Sequence, residues 1–197
     1  MNKEGGVTLV EITIVMVIIG LIIGTILKGQ EIIINAKIKS IEKNYNEIMT
    51  AVYNYNDRYR VLPGDDPLAS TKFGQAIQDG NGNGKIEGYF NSMNETDESR
   101  LVWSHLRSAD LIMGEKSSVE LPYHTLGGVM GLSSQRLDRE VPTITGLFEG
   151  FTNIPNNIAI ILDLRYDDND PIQGYIQTDA IDKYNKPSTL HNIYFTL

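Results

Sequence analysis

Residues 7–27 read VTLVEITIVMVIIGLIIGTIL, an apolar run broken by one charge, Glu11. At a rise of roughly 1.5 Å per residue, a helix over this run reaches about 31 Å, one hydrocarbon thickness of a bilayer. By length and composition the run predicts a membrane-spanning helix. Two details go beyond a plain anchor. Glu11 lies one turn inside the run, where an unpaired charge costs up to about 2.5–3.5 kcal/mol on insertion scales. An acid in that position demands a partner. The residues in front, Met1, Asn2, Lys3, Glu4, Gly5 and Gly6, end in two glycines. A secretory signal fits poorly, because its short apolar core is followed by small residues of the A-x-A type. Here a long core is followed by Leu27, Lys28 and Gly29.

The apolar positions then become periodic: Ile34, Ile38, Ile41, Tyr45, Ile48, Val52, Tyr55 and Tyr59 follow one another in steps of three and four. That spacing is an amphipathic helical stripe, and Pro63 with Gly64 ends it. A helix from Val7 to near Tyr59 would be about 80 Å long, with its second half suited to carry a globular domain. Gly20 and Gly24 form a Gly-x-x-x-Gly pair, which permits close approach of a second helix.

The rest of the chain reads as mixed. Residues 98–112 have Leu101, Val102, His105, Leu106, Ala109 and Ile112 at helical spacing, with Thr96 or Asp97 as cap. Trp103 and His105 read as core residues. Segments 158–164, 174–177 and 193–196 read as short strands. The expected fold is α+β, a long N-terminal helix with its second half packed on a small antiparallel sheet. The expected organisation is a leader over 1–6, a transmembrane helix over 7–27, its amphipathic continuation over 28–61 and a globular head over 62–197.

Composition removes several function classes. With 17 basic against 25 acidic residues, a net charge of −8, the balance argues against a nucleic-acid surface. It contains no cysteine, which excludes disulfides and thiolate metal sites; a loop that must be pinned needs hydrogen bonds or a cation. There is no G-x-S-x-G, no H-E-x-x-H and no complete phosphate-binding loop, so no enzymatic role is expected.

One loop has metal-ligand spacing. Asp79, Asn81, Asn83, Lys85 (through its carbonyl) and Glu87 follow the first nine positions of an EF-hand calcium loop, with glycines between them. The twelfth position, where a bidentate glutamate belongs, is Phe90. Calcium binding there needs a carboxylate from elsewhere, with Asp66, Asp97 and Glu98 as candidates; the alternative is a glycine–asparagine surface loop. The acidic turn Asp167, Asp168, Asn169, Asp170 is a second candidate.

Gly6, Val7, Thr8, Leu9, Val10 and Glu11 together resemble the prepilin peptidase site of type IV pilins and type II secretion pseudopilins. The resemblance implies cleavage between Gly6 and Val7, N-methylation of Val7, and a glutamate, Glu11, fifth in the product. Val7 stands where the family usually has phenylalanine, and Lys28, Gly29 and Gln30 stand where many members have a helix-kinking proline. Further along, Leu62, Pro63, Gly64 and Asp65, the Gly80–Gly84 loop, Trp103 to Leu106, and Asp163 to Asp168 with Pro171 and Gly174 are similar in order to a subgroup of proteobacterial prepilin-like proteins. That subgroup usually has glycine in place of Asn169.

What the resemblance implies is a filament subunit, with Glu11, Gly20 and Gly24 serving assembly. Its partners would be other pilin copies, the prepilin peptidase, an inner-membrane assembly platform and the lipid bilayer. The chain would cross the bacterial inner membrane once, with its head in the periplasm and later in a periplasmic or cell-surface filament. Lysine counting alone, with Lys3 before the run and Lys28, Lys37, Lys39 and Lys43 after it, does not give this orientation. A major or minor subunit of a type IV pilus is the expectation, and a type II secretion pseudopilin, which shares the processing and differs in partners, is the alternative; an unpolymerised, membrane-tethered calcium-dependent binding module is the alternative of another class.

Overall fold

In the computed structural model, residues 8–135, 144, 146–179, 184 and 189–196 are described. Gly6 and Val7, where cleavage is expected, lie outside them. The chain divides between Lys37 and Ile38 into two compact units. Helix α1 (Leu9–Tyr59) enters both.

In the first unit, every residue from Thr8 to Lys28 is exposed. This is the one helix among the described residues long and apolar enough to cross a membrane. Its polar side chains are satisfied locally. Thr13 Oγ1 donates to the Val10 carbonyl at 2.9 Å and Thr25 Oγ1 to the Ile22 carbonyl at 2.8 Å. Bonds of this kind hide hydroxyls inside an apolar helix.

In the second unit, α1 buries Ile38, Ile41, Ile48, Met49, Ala51, Val52 and Tyr55, which include most of the stripe read from the sequence. It ends four residues before Pro63, with Arg60 in the left-handed region (φ 60°). A short helix, α2 (Ala69–Phe73), follows. Helix α3 (Glu98–Ser108) adds Val102, Trp103 and Leu106 to the same core, where they meet Leu132.

The sequence places the end of α3 at Ile112, four residues too far. Asp110 takes a left-handed φ of 58°, Leu111 N–H bonds back to the Leu106 carbonyl at 3.0 Å and Asp110 N–H to Arg107 at 3.1 Å. This pair of bonds is a Schellman stop. Leu111 and Ile112 still pack on the core, but from the turn, which is why their spacing mimics helix.

Four antiparallel strands form one sheet in the order β1-β2-β4-β3: β1 (Met130–Ser133), β2 (Phe148–Pro155), β3 (Ile176–Thr178) and β4 (Leu190–Thr196). The strand expected over 193–196 is the end of β4, and that over 174–177 is displaced to β3 because Gly174 turns with φ 85°. β1 and β2 gave no signal in the sequence. Both are buried at nearly every position, so the alternation that marks a half-exposed strand is missing.

The strand expected over 158–164 is instead a helix, α4 (Asn156–Tyr166). Its isoleucines favour strand, but its buried residues, Asn156, Ile158, Ala159, Leu162 and Asp163, lie three and four apart. A short apolar run cannot be assigned by periodicity alone, and here the helical period is the one that packs.

Cross-strand pairs sort the sheet into two faces. On one, Leu132, Glu149 and Phe195 are direct neighbours, and Tyr45 of α1 stacks on Phe195 at 5.0 Å. On the other, Gly131, Gly150 and Tyr194 are neighbours, and Phe90 is seated on the two glycines. A Cβ on either would collide with Phe90. Phe90 is fully buried and packs edge-on against Tyr194 at 5.4 Å. The residue that breaks the calcium-loop pattern is thus a core residue.

Candidate assembly segment and acidic loops

Glu11 lies in the first turn of α1 and forms a capping box with Thr8. Thr8 N–H donates to Glu11 Oε2 at 2.7 Å, Thr8 Oγ1 donates to the same oxygen at 2.8 Å, and Glu11 N–H approaches Thr8 Oγ1 at 3.3 Å. Such a box satisfies helix N–H groups that have no partner further back. Its bonds are hydrogen bonds; among the described residues Glu11 has no cationic partner. Gly20 and Gly24 have open space where a Cβ would project. They mark a strip of α1 on which another backbone could approach closely.

The loop with calcium-ligand spacing is closed by the protein's own groups. Asp65 accepts from Asn83 N–H at 2.9 Å and Gly84 N–H at 2.8 Å. Glu98 accepts from Asn81 N–H at 2.8 Å and Glu87 N–H at 3.0 Å. Both carboxylates are buried. Within the loop, the Asn81 and Asn83 carbonyls accept N–H groups two residues on, from Asn83 and Lys85, and Asn81 Nδ2 donates to Glu87 at 2.9 Å. Asp79 is drawn away to Ser70, whose N–H and hydroxyl hold its carboxyl below the usual range.

Of the three carboxylates nominated from the sequence to complete a calcium shell, Glu98 does reach the loop. Burial pushes its carboxyl up, with Asp65 and Glu87 adding to the effect. Asp97 is engaged by Ser92 and Asn94. Asp66 accepts from Tyr55 and Lys72, both at 2.6 Å. Burial works against its charge, but these bonds and the Leu68 N–H outweigh it and keep the carboxyl below its ordinary value. Asp65, which holds as many loop N–H groups as Glu98, is absent from the candidates the sequence offers although it belongs to the Leu62–Asp65 word.

The acidic turn gains a member. One carboxylate oxygen from each of Asp163, Asp167 and Asp168 lies within 4.8 Å of the others, Asp163 coming from the end of α4. An oxygen cluster of this kind suits a hard cation such as calcium. Asp163 accepts from Asn169 N–H and the Tyr184 hydroxyl, and Asp167 from Ile176 N–H. Burial, with Asp167 and Asp168 nearby, raises the Asp163 carboxyl above its ordinary value. Asn169 has φ 62°, a conformation open to glycine and, next best, asparagine.

Two of the histidines, His105 and His124, hold backbone. His105 Nδ1 accepts from Gly64 N–H at 2.9 Å while Nε2 meets the Gln78 carbonyl at 2.8 Å. His124 repeats the pattern with Leu126 N–H and the Thr152 carbonyl. Burial lowers both pKa values. His191 lies between Asp179 and Asn156. Comparison with protein-family models, with curated proteins and with solved structures gives no match.

Proposed function

We propose that this chain is a type IV pilin-like subunit, cut between Gly6 and Val7 and built into a filament through the exposed part of α1. Its role is structural rather than catalytic. The observation that carries the reading is the pairing of an apolar helix, exposed along residues 8–28, with a single acid in its first turn. The apolar surface favours a bilayer or other helices over water. The acid favours a place where a positive group is within reach. In a staggered bundle, the free amine made by cleavage at Val7 lies beside Glu11 of a neighbour, and each charge offsets the other's desolvation. Gly20 and Gly24 allow the backbones to approach. The same physics serves a pilus and a shorter secretion pseudopilus, which differ in partners.

The chain has no cysteine, so single-cysteine variants are unambiguous reporters of neighbours. With Ile18→Cys co-expressed with Ile22→Cys in cells that carry the assembly machinery, oxidation is expected to give a disulfide-linked dimer. A dimer lost when the machinery is removed supports assembly through this helix. Monomer alone, with both variants stably expressed and processed, would contradict it.

A further inference from the structure

We propose that Glu149 makes closure of the head proton-dependent, acting as a proton-uptake site in the seam between the sheet and α1. This goes beyond filament assembly and does not rest on it. Glu149 sits in the middle of β2 and is fully buried. Neither carboxylate oxygen has a hydrogen-bond partner. Its cross-strand neighbours are Leu132 and Phe195, both apolar.

The charged and titratable groups on the elements around it are committed elsewhere. From α1, Tyr45 interacts electrostatically with Glu149, and its hydroxyl pairs with that of Tyr175. Burial, the Tyr175 contact and the proximity of Glu149 keep that phenol neutral far above the ordinary tyrosine range. From α3, which packs on β1, Arg107 donates to the carbonyls of Ser118 and Glu120, and His105 is held by Gly64 and Gln78. From α4, Asp163 faces Tyr184 and Asn169. No lysine, arginine or histidine among the described residues is paired with Glu149.

A carboxylate taken out of water with neither donor nor cation is costly enough that the group keeps its proton instead. Burial accordingly raises the Glu149 carboxyl well above its ordinary value of 4.5. The sign follows from linkage. An acid whose folded-state pKa is raised contributes fully below the unfolded value, and the contribution is lost as pH rises through the folded value. The seam is therefore tightest in mildly acidic surroundings and loosens as the medium turns alkaline, when ionisation of Glu149 favours states that let water reach it.

The test is urea unfolding of the full chain in detergent, wild type against Glu149→Gln, between roughly pH 5 and pH 8. The ratio of the two unfolding constants is expected to move against the wild type by up to about tenfold per pH unit, until the folded-state pKa is passed. Hydrogen exchange at β2 and β4 amides, corrected for intrinsic rate, should accelerate with pH in the wild type more than in the variant. A ratio that stays constant, or moves the other way, overturns the proposal. A direct measurement on the wild type needs no variant to fold. With isotope-labelled glutamate carboxyls, one resonance should remain in the protonated range at neutral pH; ionisation of every glutamate there also overturns it.

Discussion

Glu11→Gln is expected to leave the chain in the membrane and to remove it from filaments. The substitution keeps shape and discards charge. For a free subunit this is a relief, since a charge within the bilayer costs up to about 2.5–3.5 kcal/mol on insertion scales. On the proposed assembly it is a loss, because the amine of a neighbour would be left without its counter-charge. Breaking one side of a buried ion pair costs about 3–5 kcal/mol, which corresponds to more than about 100-fold in an association constant. The sheared-filament fraction should fall accordingly while total membrane-bound protein stays level. Thr8→Ala separates two effects that Glu11 combines. It weakens the capping box, a loss of about 1 kcal/mol, but keeps the charge. Assembly should survive in Thr8→Ala and fail in Glu11→Gln. Equal loss in both would assign Glu11 to helix capping alone.

Phe90→Ala is expected to be among the most destabilising single changes in the head. Phe90 is fully buried between the glycines of β1 and β2 and meets Tyr89, Phe148 and Tyr194. Truncating a buried phenylalanine costs about 3–5 kcal/mol, with the spread set by how far the site can collapse. Collapse is hard here, because Gly131 and Gly150 offer no side chain to fill the space and their backbones are fixed by the β1–β2 and β2–β4 ladders. Chemical denaturation of the full chain in detergent measures this. A loss within about 0.5 kcal/mol, the size expected of an exposed position, would mean that Phe90 does not fill this seat. Phe90→Leu keeps more of the volume and should lose less.

The parts of the fold legible in the sequence are those where one physical signal dominates. The stripe from Ile38 to Tyr55 is a long helical period with one buried side, and α1 follows it. α3 was visible for the same reason, up to the point where Asp110 turns left-handed and Leu111 continues the apolar spacing without the helix. β1 and β2 were invisible because both faces of the sheet are covered, by the α1 side and by Phe90, so their residues do not alternate. α4 was read as strand because its isoleucines carry strand propensity, which packing overrode.

At the candidate sites the outcome divides similarly. Asparagines two apart in a glycine-rich loop suit calcium ligands, and they equally suit side-chain bonds to N–H groups two residues on; the same spacing serves both. What distinguishes them is the surroundings, Asp65 and Glu98 aimed at the loop backbone from outside it. That information is non-local. Asp163 joining Asp167 and Asp168 is likewise a product of where α4 ends. Glu149 carries no local signature; a lone acid in a strand reads as solvent-facing until the second face is known to be buried.

On the proposed assembly, Glu11 meets a neighbour's amine only after the N-terminus has been processed. Intact-mass and peptide mass spectrometry of the protein, expressed with and without a prepilin peptidase, reads this out. With the peptidase present the protein should begin at methylated Val7; with the peptidase absent it should retain Gly5 and Gly6. A chain that keeps Gly6 under both conditions would contradict the proposal.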